Sequence, residues 1–212
     1  MLAMVRPPQV LALIGVLVAM AVAGAACGTN RENASNSTSS NASRPLTYAQ
    51  VVKQGKDTPG GDVLLLWFWA QWGSTPNVVG MYDPRVVGAL GADRISGVYN
   101  WLRGTLVDLR PQIGNVIRRR NLAFVAVEAP VAGAPPARYS FLLRRTHGEW
   151  LILHDTLLEG ALPQYVAYKI DGEATAHPSA RARAQGERLV ERYRDLFLNA
   201  KAGIPAIGQA GG

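Results

Sequence analysis

Cysteine is almost missing from this chain: among 212 residues there is one, Cys27. With no second thiol there is no intrachain disulfide, so the folded part must rest on a hydrophobic core. Apolar residues make up 48% of the composition, which is enough to build one. A single cysteine also excludes the cysteine-rich spacings of structural zinc sites. Histidine is scarce as well. His147, His154 and His177 show no His-Glu-x-x-His spacing, so no metal is expected. There is no Gly-x-Ser-x-Gly elbow for a nucleophilic serine. No glycine-rich loop opens a helix in the phosphate-cradling pattern, so no nucleotide or other cofactor is expected.

Charge is sparse at the start of the chain. Arg6 precedes an uncharged run over residues 10–26, which ends in Gly24-Ala25-Ala26-Cys27 and gives way to polar residues. This pattern resembles a bacterial lipoprotein signal, with a lipobox-like site at the cysteine. Gly24 departs from the family pattern, which prefers Leu there. The resemblance implies that residues 1–26 are a signal peptide and that Cys27 receives a diacylglycerol. The membrane is then a partner through Cys27, at the outer face of the bacterial cytoplasmic membrane or in the cell envelope. Two alternatives stay open. One is ordinary cleavage near the alanines, and the other is an uncleaved anchor, since the run approaches the length that spans a bilayer. All three place the folded part outside the cytoplasm.

Residues 28–43 are rich in Asn and Ser and carry almost nothing to bury, so residues 27–45 are expected to form a flexible tether. Asn33, Asn36 and Asn41 fit the Asn-x-Ser/Thr pattern, but in such a linker they read as composition rather than as glycan sites. The net charge of +7 lies largely in Arg118-Arg119-Arg120, in Arg144-Arg145 and in the tail from Arg181 to Arg194. Basic envelope domains can lie against anionic headgroups. The favoured reading is solvated surface with local partners, and no nucleic acid is expected outside the cell.

Residues 46–170 read as one α+β domain. Helices are expected over 48–54, 63–72, 77–82 and 93–106, with a turn over 84–90 closed by Gly91 and with Thr58-Pro59-Gly60-Gly61 as a break before the second helix. That second helix is apolar nearly all round and is expected to be buried along most of its length. Hairpins are expected from strands 113–117 and 122–127 and from strands 139–143 and 150–158, the latter turning at Gly148. Residues 130–136 read as a loop. Residues 171–202 read as a linker and a C-terminal amphipathic helix from Ser179, with Leu189, Val190, Tyr193, Leu196 and Phe197 on its apolar stripe. Residues 203–212 are expected to be a disordered tail.

The helical Asn77-Val78-Val79-Gly80-Met81-Tyr82-Asp83-Pro84 stretch, the further helix, and hairpins ending in Glu149-Trp150-Leu151-Ile152-Leu153-His154-Asp155 together resemble the NTF2-like (SnoaL-like) superfamily. The resemblance covers about residues 62–165. It implies a curved antiparallel sheet packed on helices as a cone, with a pocket for a small apolar ligand. Family members include isomerases, cyclases and dehydratases, and also non-catalytic binding and dimerisation modules, so fold does not choose among them.

Strand alternation puts Asp155 in line with Leu151, Leu153 and Leu157, and a carboxylate in an apolar row has either a partner or a raised pKa. The structural alternative for Asp155 is a salt bridge to Arg138 or a hydrogen bond to a tyrosine. The catalytic alternative has Asp155, helped by Tyr82 or His154, moving a proton on an apolar ligand. Trp67 could line the same pocket, though Trp67, Phe68, Trp69 and Trp72 read first as core. Asp83 reads as a structural turn and helix-cap residue. The favoured function is a non-catalytic binding or docking domain presented from the membrane. An accessory subunit that forms a homodimer or docks on an envelope protein is the third reading.

Overall fold

The computed structural model describes residues 47–53, 55, 57–131, 133–172 and 177–201. Cys27 and the residues expected to form the signal peptide, the tether and the C-terminal tail lie outside them. Among the described residues no helix is long and apolar enough to cross a membrane.

The fold is α+β, with helices packed on a four-stranded antiparallel sheet. Helix α1 covers Tyr48–Lys53 and α2 covers Pro59–Trp72. The Pro-Gly-Gly expected to interrupt the chain instead forms the first turn of α2. Thr58 makes this possible. Its Oγ1 accepts from the Gly61 N–H at 3.1 Å and donates to the Gly55 carbonyl at 2.8 Å, while Pro59 takes a position where a missing N–H costs nothing. A Cβ on Gly61 would lie 2.1 Å from that Gly55 oxygen, so only glycine allows the approach.

Helix α3 spans Thr75–Gly80, α4 Pro84–Leu90 and α5 Ala92–Leu106. The expected helix over 77–82 therefore stops early, and Tyr82 lies in extended chain. There the Asp83 N–H donates to the Ile152 carbonyl at 2.9 Å and the Ile152 N–H donates to that of Met81 at 2.8 Å. This short parallel bridge occupies the outer edge of the last strand.

The strands are β1 Gln112–Arg119, β2 Leu122–Val131, β3 Ala134–Thr146 and β4 Glu149–Asp155, paired in sequence order. The β3–β4 turn has positive φ at His147 (52°) and Gly148 (93°), which suits the twist of a tight hairpin. Pairing of β2 with β3 runs out to Val131 opposite Ala134, so most of the stretch expected as a loop is strand. The expected strand over 150–158 ends at Asp155, where helix α6, Thr156–Asp171, begins. A final helix, α7 over Ala180–Lys201, packs against α6, α4 and β4. Ser179 opens it, its Oγ accepting from the Ala182 N–H at 3.2 Å.

One sheet face carries Ala123, Val125, Val127, Phe141, Leu143 and Ile152 into a single core with Trp67, Tyr99 and Leu102. The C-terminal helix belongs to that core through Leu189, Val190 and Tyr193.

Candidate functional site

The most deeply placed polar residue on β4 is Asp155, which is fully buried. Strict alternation would put it in line with Leu151 and Leu153, but β4 does not alternate strictly. Leu142 pairs with His154 while Leu143 pairs with Ile152, so Leu153 is an extra residue in a bulge. Asp155 then pairs with Phe141, and it shares the inner face with Ile152. The bulge thus aims the carboxylate into the core and turns His154 outward.

Four elements meet at the carboxylate. Its Oδ1 accepts from the Leu158 N–H at 2.5 Å, making Asp155 the N-cap of α6. Its Oδ2 accepts from the Tyr82 hydroxyl at 2.7 Å and from the Tyr193 hydroxyl, on α7, at 3.1 Å. The Tyr193 oxygen in turn accepts the Asp155 backbone N–H at 2.8 Å. Since the Tyr82 proton goes to the carboxylate, Tyr99 on α5 is the donor in the 2.7 Å contact between the two tyrosine hydroxyls. None of the four residues is more than 2% exposed.

Burial sets the electrostatics. It raises the Asp155 pKa from the ordinary carboxylate value, against the opposing pull of the Leu158, Tyr82 and Tyr193 donors and of His154. The three tyrosines rise well above theirs, first because they are buried and then because the Asp155 charge is close. These phenols hold their protons firmly and act here as donors.

The tyrosine hydrogen bond, and not an Arg138 salt bridge, is therefore what satisfies Asp155. Arg138 pairs with Glu128 across β2 and β3 at 3.0 Å. His154 is buried on the other face, between the rings of Tyr193 at 4.7 Å and Phe197 at 4.9 Å. Its Nε2 lies 3.0 Å from a Glu159 oxygen, at ion-pair distance but not aligned for a hydrogen bond. His154, and after it Arg194, hold the Glu159 carboxyl below its ordinary value against the effect of burial. Trp67 is a core residue, 1% exposed and edge-on to Tyr139 at 5.5 Å.

Asp83 is the cap residue expected, and it does more. Its Oδ1 accepts from the Arg85 N–H at 3.0 Å at the start of α4. Its Oδ2 accepts from Arg144 at 2.6 Å, which joins α4 to β3. Arg144 is thus not part of a solvated cluster. The stripe on α7 was legible in sequence, but its one hydroxyl, on Tyr193, was read only as apolar surface. Tyr99 was missed in the same way. Among the described residues no group of three His, Cys, Asp or Glu could hold a metal ion.

The second apolar face of α2 is the other departure. Leu65, Phe68 and Trp69 are only half-buried and Trp72 is 56% exposed, so this helix is buried on one side only.

No family model matches the chain, and neither does any curated protein or solved structure.

Proposed function

We propose that the chain is an exported protein, anchored to the outer face of the bacterial membrane through a lipid on Cys27, that presents a non-catalytic NTF2-like binding or docking domain. The observation that carries the non-catalytic half is the Asp155 cluster. The best candidate for a general acid or base has both oxygens occupied by protein donors, and no face of it is open to a ligand. A catalytic carboxylate must come within hydrogen-bond reach of the proton it moves. This one instead joins β4, α6, α7 and the Tyr82 segment. The isomerase or dehydratase alternative would need those contacts to open. Four antiparallel strands in sequence order behind a run of helices support the cone reading.

The anchoring half is supported by the apolar run and the small residues before Cys27, followed at once by polar chain. A diacylglycerol brings two acyl chains, enough for durable anchoring of a water-soluble domain. The test is detergent-phase partitioning of wild type and Cys27→Ala after labelling with radioactive palmitate. Wild type should take up label and enter the detergent phase, and Cys27→Ala should take up none. Label on Cys27→Ala would remove the anchor. Native against denaturing mass spectrometry of the same protein tests the binding half, a bound apolar ligand appearing as mass lost on denaturation.

A further inference from the structure

We infer that the exposed aromatic row on α2, with the outward side of α1, is a membrane-interface docking surface that seats the domain against the bilayer carrying its anchor. This deepens the anchoring reading and rests on it. The row is Leu65, Phe68, Trp69 and Trp72, at i, i+3, i+4 and i+7, which is one side of a helix. Tyr48 and Val52, four apart on α1, extend it: the Tyr48 ring lies 5.9 Å from that of Phe68. Phe68 touches Trp69 at 4.8 Å and Trp72 at 6.1 Å, so the aromatics form one surface. Tyr48 is 52% exposed, Val52 44% and Trp72 56%.

Three observations choose the bilayer as occupant. The first is position. Tyr48 stands where the chain from Cys27 enters the described fold, 21 positions after that cysteine. If Cys27 is held in the membrane, this face is the part of the domain tied nearest to it. The second is residue type. Tryptophan and tyrosine, apolar rings with one polar edge, are the side chains that favour the headgroup boundary. The third is charge. Lys53 follows Val52, and the Arg103 guanidinium sits over Gly73 at the end of α2, its Nε donating to the Gln71 carbonyl at 3.2 Å. The Arg103 cation lies at the end of α2 that carries Trp72, where it can meet phosphates. Asp57 and Asp62 lie at the opposite end of α2 from Arg103, the end next to Lys53.

The surface also explains why α2 is apolar all round in a domain that covers only one of its sides. A second copy of the chain, or a protein partner, would use the same surface differently, and the test separates them.

The full chain is reconstituted into vesicles of phosphatidylcholine and phosphatidylglycerol, with and without bromine near the top of the acyl chains, and tryptophan emission is compared. Trp69 and Trp72 are two of the chain's five tryptophans, and none precedes residue 67, so quenching by up to their share of the emission is expected. Val52→Glu, which keeps all five, and Trp72→Glu should still float with the vesicles but lose most of the quenching. Equal emission in both kinds of vesicle with normal flotation would overturn the inference, as would Val52→Glu quenched like wild type. A dimer dissociated by Trp72→Glu, without quenching, would overturn it in favour of self-association. If the chain does not float, the anchor has failed independently. Bromolipid vesicles added to the unanchored protein then decide: quenching supports the surface, and its absence overturns it.

Discussion

Replacing Asp155 tests whether the tyrosine cluster is a structural lock. In Asp155→Ala the α6 cap is lost, typically about 1 kcal/mol. The Tyr82 and Tyr193 hydroxyls, both buried, lose their acceptor at about 1 to 3 kcal/mol each where nothing replaces it. Relief of the carboxylate's own burial cost, evident in its raised pKa, offsets part of this. A net loss of about 3 kcal/mol is expected, by urea unfolding of detergent-solubilised protein with an unchanged m-value. Asp155→Asn is the informative contrast. Its oxygen can still cap Leu158, and its NH₂ can donate to the oxygens of Tyr82 and Tyr193. The protons left without an acceptor are then those of Tyr99, at the end of the chain, and of Tyr193, and the loss should stay below that of Asp155→Ala, at about 2 kcal/mol. Tyr193→Phe should fall between them, because it removes both a donor to Oδ2 and the acceptor of the Asp155 N–H. Tyr99→Phe, at the end of the chain with one bond, should cost least.

The pH dependence has a sign that follows from the raised pKa. The folded state favours the neutral acid more than the unfolded chain does. Its contribution is fully present below the unfolded value near 3.8 and is lost as pH rises through the higher folded value. Asp155→Asn lacks this dependence, so the gap between it and wild type should widen as pH falls. A loss below ~1 kcal/mol for Asp155→Ala, against a lost cap and two stranded hydroxyls, would refute the lock. So would an Asn variant as damaging as Ala.

Asp62 is raised to about 6 by burial, then by Asp57 and Glu149, so its contribution is likewise present below the unfolded value and lost as pH rises through 6. The shift is nominally about 3 kcal/mol, but the group is partly exposed and screening reduces it to about 1. Asp62→Asn should flatten stability between pH 4 and 6 and match or exceed wild type at pH 7, read from unfolding midpoints across that range. Asp83→Ala removes the α4 cap and leaves Arg144 without its carboxylate, so a loss of about 3 kcal/mol is expected by the same assay. Gly97→Ala would put a Cβ 2.0 Å from the Tyr165 hydroxyl between α5 and α6; a fall in Tm of several degrees is expected, and Gly97→Ala/Tyr165→Phe should recover part of it.

How much of this could be read from the sequence depends on whether the deciding contact is local. The hairpin around Gly148, the cap at Asp83 and the α7 stripe were legible, because turn chemistry and helical spacing act within a few residues. The start of α2 was misread. Pro-Gly-Gly breaks a helix by local propensity, but the Thr58 hydroxyl and the Gly55 carbonyl make it a first turn. Helix α6 was missed because a β-rich run leads straight into it without a linker, and Asp155 serves as both last strand residue and first cap.

The same economy explains the candidate site. A carboxylate in an apolar row signals that something must meet it, and that much was legible at Asp155. Its partners come from 73 positions before it and 38 after it, and no spacing rule connects them. The bulge at Leu153 decides the matter, since one extra residue sends Asp155 inward and His154 out to Tyr193 and Phe197. Without it the carboxylate would share the outer face and the tyrosines would have no anion. With Asp155 closed off by donors of its own chain, the aromatic row beside residue 47 is the first exposed surface on which the proposed docking can be tested.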